Sequence, residues 1–345
     1  MMVLVTLPKR LLALICFGIA VFGVSAFGAS DEPKELRIGV QYGLGYLPLY
    51  VARDAGLFEK HMKAQALEPV PVRIVNFAGG PQIQDGLLSR TLDVGAGGIT
   101  VLLITRDKTR GAGDQEMLGL TALSSVPYDL WTTDADLKSL RGLDPKKNKI
   151  GLPAVKVSVP AIFLQMASEQ INGIGKHSTF DPLTVGLAQP DGAISLAAGG
   201  STVDSYLFAP PFSQQMREKS GVHRVWSSTE LFGSPITALA TWITARFHRE
   251  NPKLAAAFVA AIREAIELIR TDKSKASAIY VKAEPSKLPA EYFAKVLEDP
   301  DVRFTLAPEN SVKIADFLAR IGTLKQKPSD WKDVFFPEIH SENGS

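Results

Sequence analysis

Cysteine is almost absent from this sequence, which has a single one, Cys16, among 345 residues. One cysteine supports neither an intrachain disulfide nor a thiolate metal cluster. The five histidines include no H-x-x-x-H pair, so the spacing of a helical zinc site is missing as well. We therefore expect no metal site and a stability that comes from a packed core.

Motifs for catalysis and for nucleotide cofactors are also missing. Gly43-Leu44-Gly45 begins like a dinucleotide-binding turn, but Pro48 stands where the third glycine belongs. Gly175-Lys176 resembles the end of a phosphate-binding loop, yet His177 replaces the hydroxyl residue that would bind magnesium. No G-x-S-x-G nucleophile turn occurs. The sequence predicts no catalytic residue and no cofactor.

The chain carries no excess of one charge once its first segment is set aside. It has 38 basic and 36 acidic residues, and Lys9 and Arg10 are the only charged residues in 1–26. The rest of the chain therefore carries 36 of each sign. A neutral surface gives no support to a nucleic-acid partner, whose binding depends on a basic patch.

One long apolar run is present, and it lies at the amino terminus. Two basic residues precede the run from Leu11 to Val24, and a small-residue site follows that ends at Ala26 or Ala29. A basic start, a short apolar core and small residues at the cleavage site are typical of a secretory signal peptide. A membrane anchor is the alternative, but the run is short of the roughly 20 residues that span a bilayer. We predict a cleaved signal peptide at 1–26 and a periplasmic location.

Strand-like and helix-like segments alternate through the rest of the chain. Strands are predicted at Leu36–Gln41, Val72–Phe77, Leu92–Ala96, Met117–Leu123, Asp129–Thr133, Lys149–Leu152, Leu183–Val185 and Val203–Phe208. Such alternation is typical of parallel sheets with crossover helices. Beyond Trp242 the pattern becomes helical, and Asn251 and Pro252 suit the cap and first turn of a long amphipathic helix. Because a single core stops growing near about 250–300 residues, we expect two domains.

Glycines gather in three turns that each follow a strand and precede a helix, at Tyr42–Tyr46, Ala78–Gly80 and Gly95–Gly98. In a parallel sheet such turns share the edge where ligands bind, and helix amino termini direct free N–H groups there. Two interpretations stay open: the glycines let a ligand approach the backbone, or they satisfy ordinary turns. The first predicts that a side chain added at Gly80 would meet the ligand and touch little of the core.

Several segments resemble one known family. They are Leu36–Val40, Gly45–Ala52, Gly56–Lys60, Phe77–Gln82, Leu92–Gly95, Leu196–Gly200, Val203–Tyr206 and Phe208–Phe212. In order and spacing they are similar to the sulfonate, taurine, nitrate and pyrimidine-precursor group of ABC-importer substrate-binding proteins. The likeness extends over about residues 35–336. It implies an α/β type II periplasmic-binding-protein fold, with two lobes, crossing hinge strands and a ligand cleft.

The resemblance also implies an organisation and a partner. Lobe 1 would comprise residues 35–125 and 236–345, and lobe 2 residues 126–235. The lobes would close around a small organic ligand by a hinge motion. We expect a monomer that delivers its ligand to an ABC permease in the inner membrane.

The cleft positions of the family carry over onto a set of residues in this chain. They are Tyr42, Gly43, Gly79, Gly80, Gly97, Gly98, Val157, Ser158, Tyr206, Phe208 and Pro210. Tyr46 and Tyr128 are further candidates for aromatic walls, and Lys156 is the only nearby cation. The Ser158 hydroxyl, ahead of a predicted helix, would cap that helix, contact the ligand, or do both. Because the loops contain no arginine, we expect a planar or partly apolar ligand rather than a compact inorganic oxyanion.

Two other functions stay open at this point. Enzymes that form a pyrimidine precursor resemble the amino-terminal lobe, but they look to carry a cysteine-rich cluster and a lysine that holds pyridoxal phosphate. This chain has no cysteine after residue 26. A ligand-sensing ectodomain of a membrane receptor would need the same fold, and the sequence does not separate sensing from uptake.

Overall fold

The computed structural model describes residues 33–233, 236–284 and 286–345. The predicted signal peptide at 1–26, the candidate cleavage site at Ala29 and the single cysteine lie outside these residues. In the described part of the chain, no helix is both long and apolar enough to cross a bilayer.

Eleven strands and thirteen α-helices are found in the described residues. The strands are β1 (Leu36–Val40), β2 (Val72–Asn76), β3 (Val94–Gly98), β4 (Met117–Ser125), β5 (Asp129–Thr132), β6 (Ile150–Leu152), β7 (Thr184–Gly186), β8 (Ser205–Phe208), β9 (His223–Ser227), β10 (Leu239–Thr244) and β11 (Arg303–Phe304). The helices are α1 (Leu47–Asp54), α2 (Leu57–Ala64), α3 (Gly80–Leu88), α4 (Ile99–Thr109), α5 (Val159–Asn172), α6 (Gln189–Ala197), α7 (Phe212–Arg217), α8 (Thr229–Phe232), α9 (Ala245–Glu250), α10 (Pro252–Thr271), α11 (Lys273–Ala283), α12 (Ala290–Val296) and α13 (Ser311–Arg320). Short 3-10 helices lie at Leu44–Tyr46, Gly113–Gln115, Leu140–Gly142, His177–Leu183, Trp331–Asp333 and Pro337–Ile339.

The strands form two sheets. The first has the order β11-β4-β10-β3-β1-β2, in which β1 is parallel to β2 and β3 while β10 is antiparallel to β3 and β4. The second has the order β7-β6-β8-β5-β9, in which β6 is parallel to β7 and β8 while β5 is antiparallel to β8 and β9. Parallel strands joined by helices were predicted for both halves of the chain, and this prediction is confirmed.

The chain passes between the two sheets twice. Residues 126–128 connect β4 to β5, and α8 lies on the return path from β9 to β10. We call the elements around the first sheet lobe 1 and those around the second sheet lobe 2. The neighbouring strands β4 and β10 belong to lobe 1, where β4 leads into the first crossing and β10 follows the second. The residue limits predicted for the lobes stay a prediction.

Local sequence explains how lobe 1 begins. Pro48 occupies the first turn of α1, where its missing N–H costs no hydrogen bond. Gly56 has φ of 68°, a left-handed conformation that ends α1 and starts α2. Phe58 of α2 then packs against Phe258 of the long helix α10, with ring centroids 5.4 Å apart. This packing buries the apolar face that the sequence predicted for α10.

Some elements differ from the prediction. No strand is predicted from the sequence at β9, β10 or β11, and only helices are predicted beyond Trp242. The helix predicted to start at Pro252 is confirmed, but the Asn251 side chain does not cap it. Its amide nitrogen instead donates to the carbonyl of Phe247, 3.1 Å away, because α9 ends immediately before α10 begins.

Candidate functional site

A cleft separates the two lobes at the carboxyl ends of their parallel strands. In this arrangement its free volume is about 30 Å³, room for little more than a water molecule or two. Its lining residues are Gln41, Tyr42, Gly43, Gly45, Tyr46, Ala78, Gly80, Gly98, Val101, Val126, Tyr128, Pro153, Ser158, Val159, Pro160, Gln189, Ala209, Pro210 and Leu239. Helices α3 to α6 all begin at this cleft, so their amino ends direct N–H groups and partial positive charge toward it. This is the sheet edge that the glycine-rich turns predicted.

Hydrogen bonds already join the two lobes across the cleft. The amide nitrogen of Leu44 donates to the carbonyl of Pro210 over 3.0 Å. The side-chain nitrogen of Gln189 donates to the carbonyl of Tyr42 over 3.0 Å, while its side-chain oxygen accepts from the backbone of Ala209. Because opening the cleft would break the bonds that cross it, the structure shows a closed arrangement of the lobes.

The cleft glycines explain how the lobes come so close. A Cβ atom added to Gly79 would lie 2.8 Å from the carbonyl oxygen of Pro153 in lobe 2. One added to Gly98 would lie 2.8 Å from a methyl carbon of Val159, also in lobe 2. Gly43 has φ of 131° and would meet the carbonyl of Pro210 at 3.3 Å. The glycines at these turns therefore let one lobe approach the other.

Two other glycines of the same region serve packing inside lobe 1. A Cβ at Gly80 would lie 3.0 Å from a methyl of Val101, so the expectation that it would touch little of the core is wrong. A Cβ at Gly97 would lie 3.0 Å from the ring of Trp242, which is fully buried on the neighbouring strand β10. Close packing inside the lobe is enough to favour glycine at these two positions, and their contact with a ligand stays a prediction.

Two buried tyrosines line the cleft. Tyr46 belongs to lobe 1, and Tyr128 lies in the first crossing between the sheets, where its ring packs edge-on against Phe163. Burial raises the pKa of Tyr128, and burial together with the nearby Tyr128 raises the pKa of Tyr46. Both phenols are therefore neutral near pH 7 and can donate or accept hydrogen bonds.

Ser158 lies in the cleft wall, but its hydroxyl does not cap helix α5 as the sequence predicted. It donates to the carbonyl of Ala154 over 2.6 Å. The backbone of the preceding Val157 takes part in a cross-cleft contact, since its carbonyl accepts from the hydroxyl of Thr100 over 2.6 Å. This contact ties the start of α5 in lobe 2 to the start of α4 in lobe 1.

The structure brings most of the predicted site residues together. Tyr42, Gly43, Tyr46, Gly80, Gly98, Tyr128, Ser158 and Pro210 line the cleft. Gly79, Gly97, Lys156, Val157, Tyr206 and Phe208 do not appear in its lining. Whether any of these residues contacts a ligand stays a prediction.

Three of the residues outside the lining have other surroundings. Tyr206 and Phe208 stack with ring centroids 4.2 Å apart in a small apolar cluster within lobe 2, and the Tyr206 hydroxyl donates to the carbonyl of Leu187. Lys156 is exposed and has φ of 65°. Among the described residues that line the cleft, none is lysine or arginine.

A carboxylate that the sequence analysis missed lies beside the cleft. The oxygens of Glu284 accept from the amide nitrogen of Gly43 at 3.2 Å, from the Tyr50 hydroxyl at 2.9 Å and from the Tyr280 hydroxyl at 3.1 Å. Burial raises the pKa of Glu284, although these three hydrogen bonds act in the opposite direction. Gln41 and Gln189 are further cleft residues that the sequence analysis missed. For Gln189 the only signal is its place before Pro190 at the start of a helix.

Comparison with known proteins identifies the family of the chain. A family model described as the NMT1-like family matches residues 29–282. The chain belongs to the NMT1-like family. That match covers most of the chain and confirms the family resemblance seen in the sequence. Among curated proteins, none matches the sequence.

Solved structures with the same fold share little sequence with this family member. The alkanesulfonate-binding protein SsuA from Xanthomonas axonopodis pv. citri, bound to MOPS, is 17% identical with a TM-score of 0.65, covering 86% of this chain and 96% of that one. The periplasmic aliphatic sulphonate binding protein SsuA from Escherichia coli is 19% identical with a TM-score of 0.61, covering 88% and 99%. The periplasmic nitrate-binding protein NrtA from Synechocystis PCC 6803 is 16% identical with a TM-score of 0.70, covering 89% and 87%. These likenesses confirm the predicted periplasmic-binding-protein fold.

Proposed function

We propose that this chain is an exported binding protein that captures a small organic ligand in the cleft between its lobes and delivers it to the permease of an ABC importer. A signal peptide at 1–26, a periplasmic location and a monomeric state are parts of the same proposal. So are the lobe limits, with residues 35–125 and 236–345 in lobe 1 and 126–235 in lobe 2. Membership of the NMT1-like family and the shared fold support a binding role.

The observation that carries the proposal is the cross-cleft contact of Gln189 with Tyr42. The side chain of Gln189 in lobe 2 donates to the backbone of Tyr42 in lobe 1. Gln189 lies at the first turn of α6, where the carboxyl edge of the second sheet faces the first sheet. A hydrogen bond of this kind exists only while the cleft is closed. It therefore adds to the stability of the closed state that would retain a ligand.

The direct test compares two glutamine variants in the full chain. A panel of small organic compounds is screened by thermal shift, because a ligand that binds only the folded state raises the melting temperature. Gln189→Ala removes the cross-cleft bond together with the acceptor of the Ala209 amide inside lobe 2, and the exposed Gln115→Ala serves as a control. Loss of the cross-cleft bond, at about 0.5–1.5 kcal/mol, should weaken binding by roughly two- to tenfold in Gln189→Ala alone, because the Ala209 bond lies within one lobe and is lost in the free and the bound chain alike.

Three results would count against the proposal. They are a panel in which no compound stabilises the chain, equal affinity in the two glutamine variants, and chemical conversion of the bound compound by the purified protein. Mass spectrometry of the exported fraction tests the signal peptide separately. It should show a chain that begins after Ala26 or Ala29, and an intact Met1 would contradict the export part of the proposal.

A further inference from the structure

A second, larger space opens beside the cleft. It is a groove between α6 and α7 of lobe 2 and the region from the end of α11 to α12 of lobe 1. Its free volume is about 840 Å³. Tyr42 lines both the groove and the cleft, so the two spaces meet at this residue. A ligand that enters the cleft from this side must pass along the groove.

Glu284 lies in the wall of this groove, and no cation of the described residues pairs with its charge. Its carboxylate accepts only neutral donors, the amide of Gly43 and the hydroxyls of Tyr50 and Tyr280. Within residues 33–233, 236–284 and 286–345, no lysine, arginine or histidine forms an ion pair with it. A carboxylate withdrawn from water without a charged partner is costly, and a cation brought by a ligand would offset that cost.

The same arrangement works against an anionic ligand. The amide of Gly43 is one of the donors that the cleft turns could offer to an anion, and Glu284 already occupies it. The described cleft lining adds no lysine or arginine that could balance a second negative charge. The free N–H groups at the amino ends of α3 to α6 can donate hydrogen bonds to an uncharged oxygen atom of a ligand.

The rest of the groove is largely apolar. Ile194 is 68% exposed on lobe 2, an unusual exposure for a large aliphatic side chain, and Phe212 lies beside it in the groove wall. Leu288 lines the groove from lobe 1. The charged side chains of Glu218, Lys219 and Lys287 also line the groove, but all three are exposed, so water and salt screen their charges more than that of the partly buried Glu284.

We propose that the groove beside the cleft binds an organic cation, whose charged head lies at Glu284 and whose apolar part lies along Ile194, Phe212 and Leu288. The inference rests on the proposed binding function and adds a ligand site that adjoins the cleft at Tyr42, together with the ligand class that this site would take. It differs from what the names of the sulfonate- and nitrate-binding structures say of those proteins. Charge complementarity at Glu284 and apolar surface in the groove are two separate observations, and each can be tested by itself.

The test uses two probes of equal chain length and opposite charge, hexyltrimethylammonium and hexanesulfonate. Each is titrated calorimetrically into the full chain and into Glu284→Gln, which keeps the side-chain shape and removes the charge. Glu218→Gln is the control, because it removes an exposed acid at the rim of the same groove. We expect the ammonium probe to bind and the sulfonate probe to give no heat. Glu284→Gln should weaken the ammonium probe about tenfold or more, and Glu218→Gln less than about twofold.

A second variant keeps the test decisive if Glu284→Gln does not fold. Ile194→Ser changes an exposed side chain, so the fold should persist, and it should weaken hexyltrimethylammonium more than tetramethylammonium. Tighter binding of the sulfonate probe, binding of neither probe, or equal ammonium affinity in Glu284→Gln and Glu218→Gln would overturn the cation assignment. The proposed function would survive these results if another compound of the screening panel stabilised the chain.

Discussion

The amide nitrogen of Gly43 lies 3.2 Å from both carboxylate oxygens of Glu284, a residue 241 positions further along the chain. Tyr50 and Tyr280 donate to the same carboxylate, so the turn after β1 is held against the end of α11. That turn forms part of the cleft wall. The charge beside the cleft is therefore set by a residue from a distant part of the sequence.

The raised pKa of Glu284 predicts a specific pH dependence of stability. Because burial raises this pKa in the folded chain, the folded state binds the proton more tightly than the unfolded state. Protonated Glu284 therefore contributes to the free energy of unfolding. This contribution is fully present below the ordinary pKa of a glutamate and is lost as the pH rises through the raised pKa of the folded chain. Thermal melts should show the melting temperature of the wild type falling relative to that of Glu284→Gln across this range. Tyr50 and Tyr280, the titratable groups in contact with it, stay neutral there. Parallel curves for the two proteins would contradict the prediction.

Gly97 is predicted to be required for the packing of Trp242. A Cβ at Gly97 would lie 3.0 Å from the indole ring, and the buried ring has little room to move. We expect Gly97→Ala to lower the free energy of unfolding by about 1–3 kcal/mol, the usual cost of overpacking. Gly186→Ala is the control, since nothing lies within 4 Å of its added Cβ. Urea denaturation of both variants checks the prediction, and equal stability of the two would refute it.

The neighbouring glycines Gly79 and Gly80 should respond differently to the same substitution. Gly79→Val would press against the carbonyl of Pro153 in the other lobe, so it should hinder closure and weaken ligand binding with little loss of stability. Gly80→Val would press against Val101 inside lobe 1, so it should lower the free energy of unfolding by about 1–3 kcal/mol. Calorimetric titration and a denaturant melt on each variant separate the two effects. The prediction would be contradicted if the two variants lost ligand affinity and free energy of unfolding in the same proportion.

An ion pair between the lobes predicts a small, salt-dependent effect. Glu169 of α5 lies 2.6 Å from Arg320 of α13, and the Gly175 amide also donates to this carboxylate. The Gly175 hydrogen bond and Arg320 lower the pKa of Glu169. Because the Arg320 side chain is half exposed, Arg320→Ala should cost at most about 1 kcal/mol. The loss should shrink as ionic strength rises in urea melts, and a loss independent of salt would show that packing, not charge, is responsible.

The sequence predicted the general fold because its signals were local. Strand β1 and helix α1 follow from the apolar run that starts at Leu36 and from Pro48 and Gly56, and the structure has them within a residue or two. Strand β10 was missed although it lies in the middle of the first sheet. Its residues pair antiparallel with two strands far away in the sequence, and α9 follows at Ala245 without a turn. No local pattern separates such a strand from the helices after it.

The location of the candidate site was predicted from the sequence, but the reasons for its glycines were predicted only in part. Two of the three predicted turns, Tyr42–Tyr46 and Ala78–Gly80, do lie at one edge of the sheets, but Gly95–Gly98 belongs to strand β3 and not to a turn after it. Gly98 faces Val159 of the other lobe and Gly97 faces Trp242, which are contacts that only the folded chain creates. Glu284 follows helix α11 and carries no motif. Its position beside Gly43 depends on how α11 packs against α1, which no spacing in the sequence reports.

The most direct test of the account is the distance between the lobes with and without ligand. Arg217 on α7 and Lys295 on α12 are exposed and line a common groove between lobes 2 and 1, so cysteines placed there can carry spin labels. Pulsed electron–electron double resonance would measure this distance before and after saturation with the most stabilising compound of the panel. The full chain would carry Cys16→Ser, so that only the two introduced cysteines are labelled. We predict a distribution that includes longer distances without ligand and narrows to one shorter distance with it. An unchanged distribution at saturation would contradict capture of the ligand by closure of the two lobes.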